Sequence, residues 1–317
     1  MSQDTRCPIC ERGESRFLRE VDGYAYFECM ACGSLHADPD LLRMMDAGQS
    51  PVGKYENDYW EQERIAAVER AAGLALCRVG EAILYARRPV NRFLDVGAGP
   101  GFLLENLQTM LDPEGKIFHA AEQFPPPYAV SNPNYHRNGL ASLEPGFDAG
   151  VCIEVVEHLT PAMLRGLLSA LSGIAAPGSF WLFNTGMPDY VKNEDPGYLD
   201  PLRRGHVVSY SLQAIRLIFS EFGFIANELP GKSFAFYAEY KDSNDLSFDS
   251  RIYQALPDNI ALLKRNELLF HAAFEAARAY LYYDGYLKRT AWASSLNDAL
   301  KAVDAVGFRK WIRKLRR

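Results

Sequence analysis

The chain has 317 residues, of which 48% are hydrophobic and 23% are charged, so its composition is that of a globular protein rather than a disordered one. The formal net charge of -6 argues against a dedicated nucleic-acid binder, because such proteins usually carry a basic excess. No apolar run is long enough to predict a transmembrane helix, and the polar first twenty residues do not resemble a signal peptide. We therefore expect a cytoplasmic protein whose cysteines stay reduced.

The first 36 residues predict a zinc ribbon, because they combine paired cysteines with glycine turns and short aromatic runs. Two C-x2-C pairs, separated by 18 residues, each bring two sulfurs to one side of a tight turn: Cys7, Cys10, Cys29 and Cys32. Four thiolate ligands leave no open coordination position, so the zinc is expected to be structural. Disulfides are the alternative. His36 is either a spare ligand or an ordinary residue of a linker predicted over 37–54.

An α/β pattern follows the linker. Residues 58–87 predict one long helix that ends before Pro89. Apolar strands that alternate with helices then indicate a parallel sheet buried on both faces. The predicted strands are 92–96, 116–122, 147–153, 179–184, 224–229 and 234–240, and the predicted helices are 101–111, the segment after Thr160-Pro161, 211–222 and the region from about 258.

The most informative segment is the glycine loop at 93–101, where a strand leads into closely spaced glycines and then a helix: Gly97, Gly99 and Gly101. Glycines permit this tight turn and let a ligand approach the backbone. A dinucleotide-binding loop would carry its third glycine at the position of Phe102, so the pattern favours a cofactor without phosphates. Glu122, at the end of the next strand, can accept hydrogen bonds from both hydroxyls of a ribose. A surface turn and a surface glutamate are the alternative.

Residues 94–101 resemble the cofactor loop of class I S-adenosylmethionine-dependent methyltransferases, and residues 147–159 resemble their fourth-strand motif. The ending Glu-His-Leu is typical of small-molecule members, including ubiquinone-type O-methyltransferases and sugar methyltransferases. Residues 177–180 and 205–211 resemble the turn into the fifth strand and the segment before the sixth. The resemblance implies a Rossmann-like α/β fold with a seven-stranded sheet over 55–240. With the zinc ribbon over 1–36 and a helical C-terminal extension over 241–317, the chain is expected to have three parts.

The same resemblance implies S-adenosylmethionine as cofactor. Gly97 and Gly99 would line its methionine part, Asp95 would fix the loop, and Glu122 would bind the ribose. Asn138 or Leu140 would lie near the adenine. An aromatic segment over 55–60 would cap the cationic sulfonium, or would simply pack its helix onto the sheet. The predicted cofactor-binding residues are Tyr55, Tyr59, Asp95, Gly97, Gly99, Gly101, Glu122, Ile153 and Glu154.

Methyl transfer to a hydroxyl needs a positioned acceptor and a base. His206, which follows the fifth strand, is the first catalytic candidate, and a histidine that hydrogen-bonds a loop backbone is the alternative. A second cluster combines acidic residues with a histidine, and ubiquinone-type relatives associate this pattern with a divalent cation: Glu154, Glu157 and His158. A structural role is the alternative for this cluster. Three residues after the fifth strand are expected to shape the acceptor pocket: Asp189, Tyr190 and Lys192.

The leading functional hypothesis is a methyltransferase that acts on a small molecule or glycan, at a sugar hydroxyl or carbon, in polysaccharide biosynthesis or secondary metabolism. The alternatives are an RNA methyltransferase that binds nucleic acid through the ribbon, and an inactive zinc-ribbon binding module. Residues 309–317 carry six basic side chains, which suit a solvated helix end, a peripheral membrane contact or an RNA contact. The helical region after 258 suits a lid or a dimer surface, and the sequence leaves the oligomeric state open.

Overall fold

The structure is a computed structural model that describes residues 6–52, 57–241 and 248–315. Its N-terminal part consists of β1 (Ser15–Val21), β2 (Tyr24–Cys29), β3 (Leu35–Ala37), α1 (Pro39–Asp46), α2 (Asn57–Ala72) and α3 (Leu74–Tyr85). An α/β region follows with β4 (Phe93–Val96), α4 (Phe102–Leu111), β5 (Phe118–Ala121), β6 (Tyr135–His136), β7 (Phe147–Ile153), α5 (Pro161–Ile174) and β8 (Ala175–Asn184). The remaining elements are α6 (Pro188–Asn193), β9 (Val208–Ser209), α7 (Leu212–Ser220), β10 (Phe224–Glu228), β11 (Ala235–Tyr240), α8 (Phe248–Tyr253), α9 (Pro257–Leu263) and α10 (Glu267–Leu315).

The central sheet has the order β10-β11-β8-β7-β4-β5-β6 within the described residues. Strand β11 runs antiparallel to both of its neighbours, whereas β8, β7, β4, β5 and β6 are parallel. The chain passes from β4 outward to β5 and β6 and then returns to the other side of β4 with β7, so β4 and β7 flank a topological switch point. This strand order, in which the antiparallel strand β11 lies between β10 and β8, is that of the class I methyltransferase fold. The predicted fold class is therefore confirmed.

The strand predictions agree with the structure to within a few residues, and the helix before the sheet does not. The prediction of one helix over 58–87 is wrong, because Gly73 adopts φ -127° and ψ -97° and separates α2 from α3. Helix α3 is then buried on nearly every side, since the C-terminal helix α10 crosses it closely. A Cβ atom at Gly80 would lie 2.7 Å from that of Ala273, so glycine permits this approach.

The linker predicted over 37–54 contains helix α1, so that prediction is also wrong in part. The Asp38 side chain accepts a hydrogen bond from the Asp40 amide and caps the helix, and a proline occupies its first turn. Leu41, Leu42 and Met45 are buried on one face. This short amphipathic helix packs the segment onto the domain.

Among the described residues, the N-terminal strands form a second sheet with the order β1-β2-β3-β9. Strand β9 comes from the α/β region, so backbone pairing joins the N-terminal module to the rest of the protein. Buried residues of both regions also form a continuous apolar core. No helix in the described part of the chain is long and apolar enough to cross a membrane. The side chains of the basic segment 309–317 lie outside the described residues.

Candidate functional site

A cavity of about 770 Å³ opens at the carboxyl ends of β4, β5 and β7, at the switch point of the sheet. Most of the residues predicted to bind a cofactor line it: Tyr59, Asp95, Gly97, Gly99, Glu122, Ile153 and Glu154. Asn138 and Leu140, expected near an adenine, also line it, as do His158 and His206. Tyr55 lies outside the described residues. The fold therefore brings residues that are distant in sequence around a common space.

The glycine loop passes over the end of β4 in a backbone conformation that favours glycine. Gly97 has φ +73°, and a Cβ atom there would overlap the Cγ2 methyl of Val155. Gly99 has φ +52°, and a Cβ atom there would lie 3.5 Å from the Trp60 ring. Gly101 has φ +86°, and a Cβ atom there would lie 2.6 Å from Val130 Cγ2, but unlike Gly97 and Gly99 it does not line the cavity. The structure therefore gives Gly101 a packing role at the start of α4.

Glu122 has a structural task that the sequence did not reveal. Its two carboxylate oxygens accept hydrogen bonds from the backbone amides of Phe124 and Gly99, both at 2.8 Å, so the side chain ties the glycine loop to the end of β5. Burial raises the pKa of Glu122 above its ordinary value. Each carboxylate oxygen can accept a further hydrogen bond, so the residue retains acceptor capacity toward the cavity.

A second carboxyl group lies behind the first. Burial, with the charge of Glu122, raises the pKa of Asp95 to about 7. Two carboxyl groups in one partly dry site favour a cationic ligand, because a positive charge stabilises their ionised forms. An amino or sulfonium group meets that requirement.

Aromatic side chains of α2 cover this part of the cavity. The rings of Tyr59 and Trp60 meet edge to face with centroids 5.1 Å apart. The Tyr128 hydroxyl donates a hydrogen bond to the Trp60 carbonyl and holds this part of α2 in place. Glu63 and Arg70 extend the same face of α2 along the cavity wall. Neither residue was predicted to line the site, although their helical spacing from Tyr59 was a usable signal.

His206 also lines the cavity and is 5% exposed. Its Nδ1 must carry the proton, because it lies 2.8 Å from the Tyr198 carbonyl oxygen, which can only accept. The unprotonated Nε2 lies 3.8 Å from Glu157 Oε1. Burial and the neighbouring His158 hold the pKa of His206 well below its ordinary value, so the imidazole is neutral at pH 7. This geometry suits a proton acceptor with a carboxyl group nearby.

The acidic residues beside His206 form a hydrogen-bonded cluster. Glu157 is fully buried and accepts a 2.7 Å hydrogen bond from the Tyr198 hydroxyl. Glu154 has φ +55°, unusual outside glycine, and accepts a 2.8 Å hydrogen bond from Asn184. Burial and the neighbouring Glu157 raise the pKa of Glu154 to about 8.

The cation site suggested by resemblance at Glu154, Glu157 and His158 has a different composition in the structure. The potential ligand atoms that lie within 4.8 Å of one another belong to Glu157, His158 and His206, not to Glu154. His158 Nδ1 hydrogen-bonds the Gly205 carbonyl at 3.2 Å. Hydrogen bonds hold part of the cluster, but Glu157 Oε2 is buried without a hydrogen-bond partner among the described residues, so a divalent cation at this place stays a prediction.

Three residues expected to shape the acceptor pocket lie in α6, outside the cavity lining: Asp189, Tyr190 and Lys192. Lys192 instead pairs with Glu28 of β2 at 2.6 Å, so this part of α6 contacts the N-terminal module. Arg204, which the sequence analysis did not single out, does line the cavity and pairs with Asp195 at 3.0 Å. No local pattern marks Arg204, because only the folded loop after α6 directs it inward.

The N-terminal cysteines form a buried cluster with Sγ atoms within 4.8 Å of one another: Cys7, Cys10, Cys29 and Cys32. None of these described cysteines is in a disulfide, and the sulfurs of Cys10 and Cys29 are 3.6 Å apart. Tetrahedral Zn–S bonds of about 2.3 Å would separate sulfurs by roughly 3.8 Å. Backbone amides donate to two of the sulfurs, as suits thiolate ligands. The residues therefore fit a structural zinc ion.

His36 does not belong to that cluster. Its Nε2 lies 2.8 Å from the Ser15 hydroxyl and its Nδ1 lies 2.8 Å from the Ala37 carbonyl oxygen. It is fully buried in β3, so it is neither a linker residue nor a member of the sulfur set.

No protein-family model matches this chain, and no characterised protein matches it by sequence. Among solved structures, it is similar to an amino pentose methyltransferase from Micromonospora echinaspora, with 19% identity, coverage of 55% of this chain and 95% of that one, and a TM-score of 0.43. It is also similar to a magnesium protoporphyrin IX methyltransferase from Synechocystis PCC 6803, with 15% identity, coverage of 59% and 86%, and a TM-score of 0.36. A 1,6-didemethyltoxoflavin-N1-methyltransferase from Burkholderia thailandensis has 14% identity, coverage of 72% and 100%, and a TM-score of 0.43. These are distant likenesses, and the strand order of the sheet carries the fold assignment.

Proposed function

We propose that the protein is an S-adenosylmethionine-dependent methyltransferase that acts on a small molecule or glycan. The observation that carries this proposal is the cavity at the switch point of a methyltransferase-type sheet, whose lining includes the glycine loop, Glu122 and His206. Its volume of about 770 Å³ lies within the range of small-molecule sites and suits a nucleoside cofactor with a small acceptor.

The cofactor, when bound, supplies an electrophilic methyl group, and the chain's own residues arrange the rest. Glu122 would bind the ribose hydroxyls, Asp95 would balance positive charge, and Trp60 and Tyr59 would cover the sulfonium. His206 would accept the proton of an acceptor hydroxyl at Nε2, and the nearby Glu157 would stabilise the imidazolium that forms. The acceptor must reach an in-line position about 3 Å from the methyl carbon.

The acceptor that we propose is a sugar, methylated at a hydroxyl or a carbon. The support for this class is the polar part of the cavity lining, where Glu63, Arg70 and Arg204 offer hydrogen-bonding groups suited to a hydroxyl-rich molecule. The acidic balance of the chain supports such an acceptor over RNA. We also propose that the cysteine cluster holds a structural Zn²⁺, which is supported by its buried, closely spaced sulfurs.

The test is a calorimetric titration of S-adenosylmethionine into wild-type protein and two matched variants of helix α5. Gly166 lines the cavity, and a Cβ atom there meets nothing within 4 Å, so Gly166→Phe would place a ring in the cofactor space with little strain. Gly173 lies in the same helix, has equally open surroundings and does not line the cavity, so Gly173→Phe is the control. We expect wild type and Gly173→Phe to bind, and Gly166→Phe to bind weakly or not at all.

Either of two results would count against the proposal. Well-folded wild type that binds no S-adenosylmethionine would overturn the enzyme assignment and favour a zinc-ribbon binding module. Equal binding by both phenylalanine variants would place the cofactor elsewhere. If binding holds, a screen of sugar, small-molecule and RNA acceptors with radiolabelled methyl donor identifies the acceptor class.

A further inference from the structure

The segment that carries His206 is attached directly to the N-terminal module. Strand β9 begins two residues after His206 and pairs antiparallel with β3, with Leu35 opposite Ser209 and His36 opposite Val208. The Ala37 amide extends this pairing, since it donates a 2.8 Å hydrogen bond to the Val207 carbonyl. The sheet of the cysteine module thus reaches to within two residues of His206, which lines the cavity.

Tyr26 makes the most direct connection. This residue of β2 is fully buried, and its hydroxyl donates a 2.7 Å hydrogen bond to the carbonyl oxygen of His206 itself. The other groups of His206 are held from the α/β side: its amide donates to the Asp200 carbonyl at 3.1 Å, and its Nδ1 donates to the Tyr198 carbonyl. The orientation of the imidazole therefore depends on hydrogen bonds from two different parts of the chain.

The cysteine cluster lies close to this connection. Cys29 ends β2, and Cys32 lies in the turn that leads to β3, so a metal ion held there would fix the relative position of both strands. Ser211, just beyond β9, donates through its hydroxyl to the Cys32 carbonyl and through its amide to Ser34 Oγ, the latter at 2.9 Å. The module is therefore joined to the segment on both sides of β9.

We propose that the N-terminal module is a positioning element of the catalytic site, in which Tyr26 and the β3–β9 pairing hold the backbone of His206 so that its imidazole faces the cavity. Tyr26 is a positioning residue, since it acts on the imidazole through the peptide group. The role of His206 in catalysis rests on the proposed function, whereas the coupling between the module and this segment does not.

The test compares Tyr26→Phe with Tyr24→Phe, which removes a hydroxyl from the same strand. Hydrogen–deuterium exchange, read by mass spectrometry, reports local opening of residues 206–209. The Tyr26→Phe variant leaves a buried carbonyl without its donor, so we expect exchange there to be faster by roughly tenfold. Tyr24→Phe should exchange at the wild-type rate.

A spectroscopic signature separates positioning from general destabilisation. In protein labelled with ¹⁵N-histidine, the ring resonances of His206, assigned by their loss in His206→Asn, should show the Nδ1-protonated tautomer in wild type. We expect Tyr26→Phe to shift these resonances while the affinity for S-adenosylmethionine stays unchanged, because Tyr26 does not line the cavity.

Wild-type exchange and unchanged His206 resonances in Tyr26→Phe would overturn the proposal. If that variant fails to fold, Ser211→Ala takes its place, since it removes the hydrogen bond to the Cys32 carbonyl from the α/β side; unchanged exchange over 206–209 in Ser211→Ala would then overturn it. Titration of S-adenosylmethionine into the same samples tests the proposed function separately from the positioning role of the N-terminal module. Failure of wild type to bind would refute the proposed function and leave the exchange result intact.

Discussion

The Gly97→Ala substitution tests the geometry of the glycine loop without requiring any ligand. An alanine at φ +73° costs about 1–2 kcal/mol, because its Cβ crowds the backbone in the left-handed region. Its Cβ would also overlap Val155 Cγ2, and overpacking of this kind costs about 1–3 kcal/mol. We therefore expect Gly97→Ala to lower the free energy of unfolding by about 2–5 kcal/mol.

Gly99→Ala is the matched comparison. Gly99 also has a positive φ, but its added Cβ would lie 3.5 Å from the Trp60 ring, which is ordinary contact. Only the backbone cost applies, so the expected loss is about 1–2 kcal/mol. Urea unfolding followed by tryptophan fluorescence measures both variants.

A double-mutant cycle isolates the steric contribution. Val155→Ala removes the overlapping methyl and leaves its Cβ 3.5 Å from the new side chain at residue 97. The double variant, Gly97→Ala with Val155→Ala, should therefore lose about 1–3 kcal/mol less than the sum of the two single variants. Equal losses for the two glycine variants, or strictly additive losses in the cycle, would refute this account of the loop.

Three further predictions concern groups outside the loop. The pKa of Glu154, raised to about 8 by burial and by Glu157, makes stability depend on pH. The folded protein keeps a proton on Glu154 that the unfolded chain releases, so the free energy of unfolding falls as the pH rises toward 8. The non-ionisable Glu154→Gln variant should gain thermal stability relative to wild type between pH 6 and pH 9, and parallel pH trends in calorimetry would contradict this. Cys32→Ser should lose bound zinc, measured by elemental analysis, whereas Cys77→Ser, outside the cluster, should keep it; retained zinc in both would contradict the ligand assignment. Arg251→Met should lower the unfolding free energy by about 3–5 kcal/mol in urea titrations, because it leaves a buried carboxylate without its bidentate partner, and a change below 1 kcal/mol would contradict that.

Local sequence signals predicted a large part of the fold because they act over a few residues. The Thr160 hydroxyl caps α5 by accepting from the Met163 amide, as the Thr-Pro pair predicted. The break at Gly73 was missed, because helical periodicity continues on both sides of it and the break depends on how α2 and α3 pack. Whether the ribbon over 1–36 and the extension over 241–317 are separate domains stays a prediction.

The candidate site was predictable only where one residue sufficed to signal its chemistry. Glycines, cysteines and a strand-end carboxylate carry such signals, and they identified the loop, the sulfur cluster and Glu122. The hydrogen bond from Tyr26 to His206 joins residues that are 180 positions apart, so no local sequence pattern predicts it. Gly101 is the opposite case. Its place in the glycine motif predicted a cofactor contact, whereas a Cβ atom there would overlap Val130 and Tyr135, so the glycine serves packing.

The pairing of β3 with β9 also constrains how the chain folds during synthesis. The N-terminal module is made before β9, because the strand that completes its sheet follows about 170 residues later, which at roughly 5–20 residues per second takes on the order of ten seconds or more. During that interval the edge of β3 has no partner, and an exposed strand edge is a template for association with other chains. Once it is made, the segment that carries His206 therefore also covers the edge of β3 against pairing with other chains.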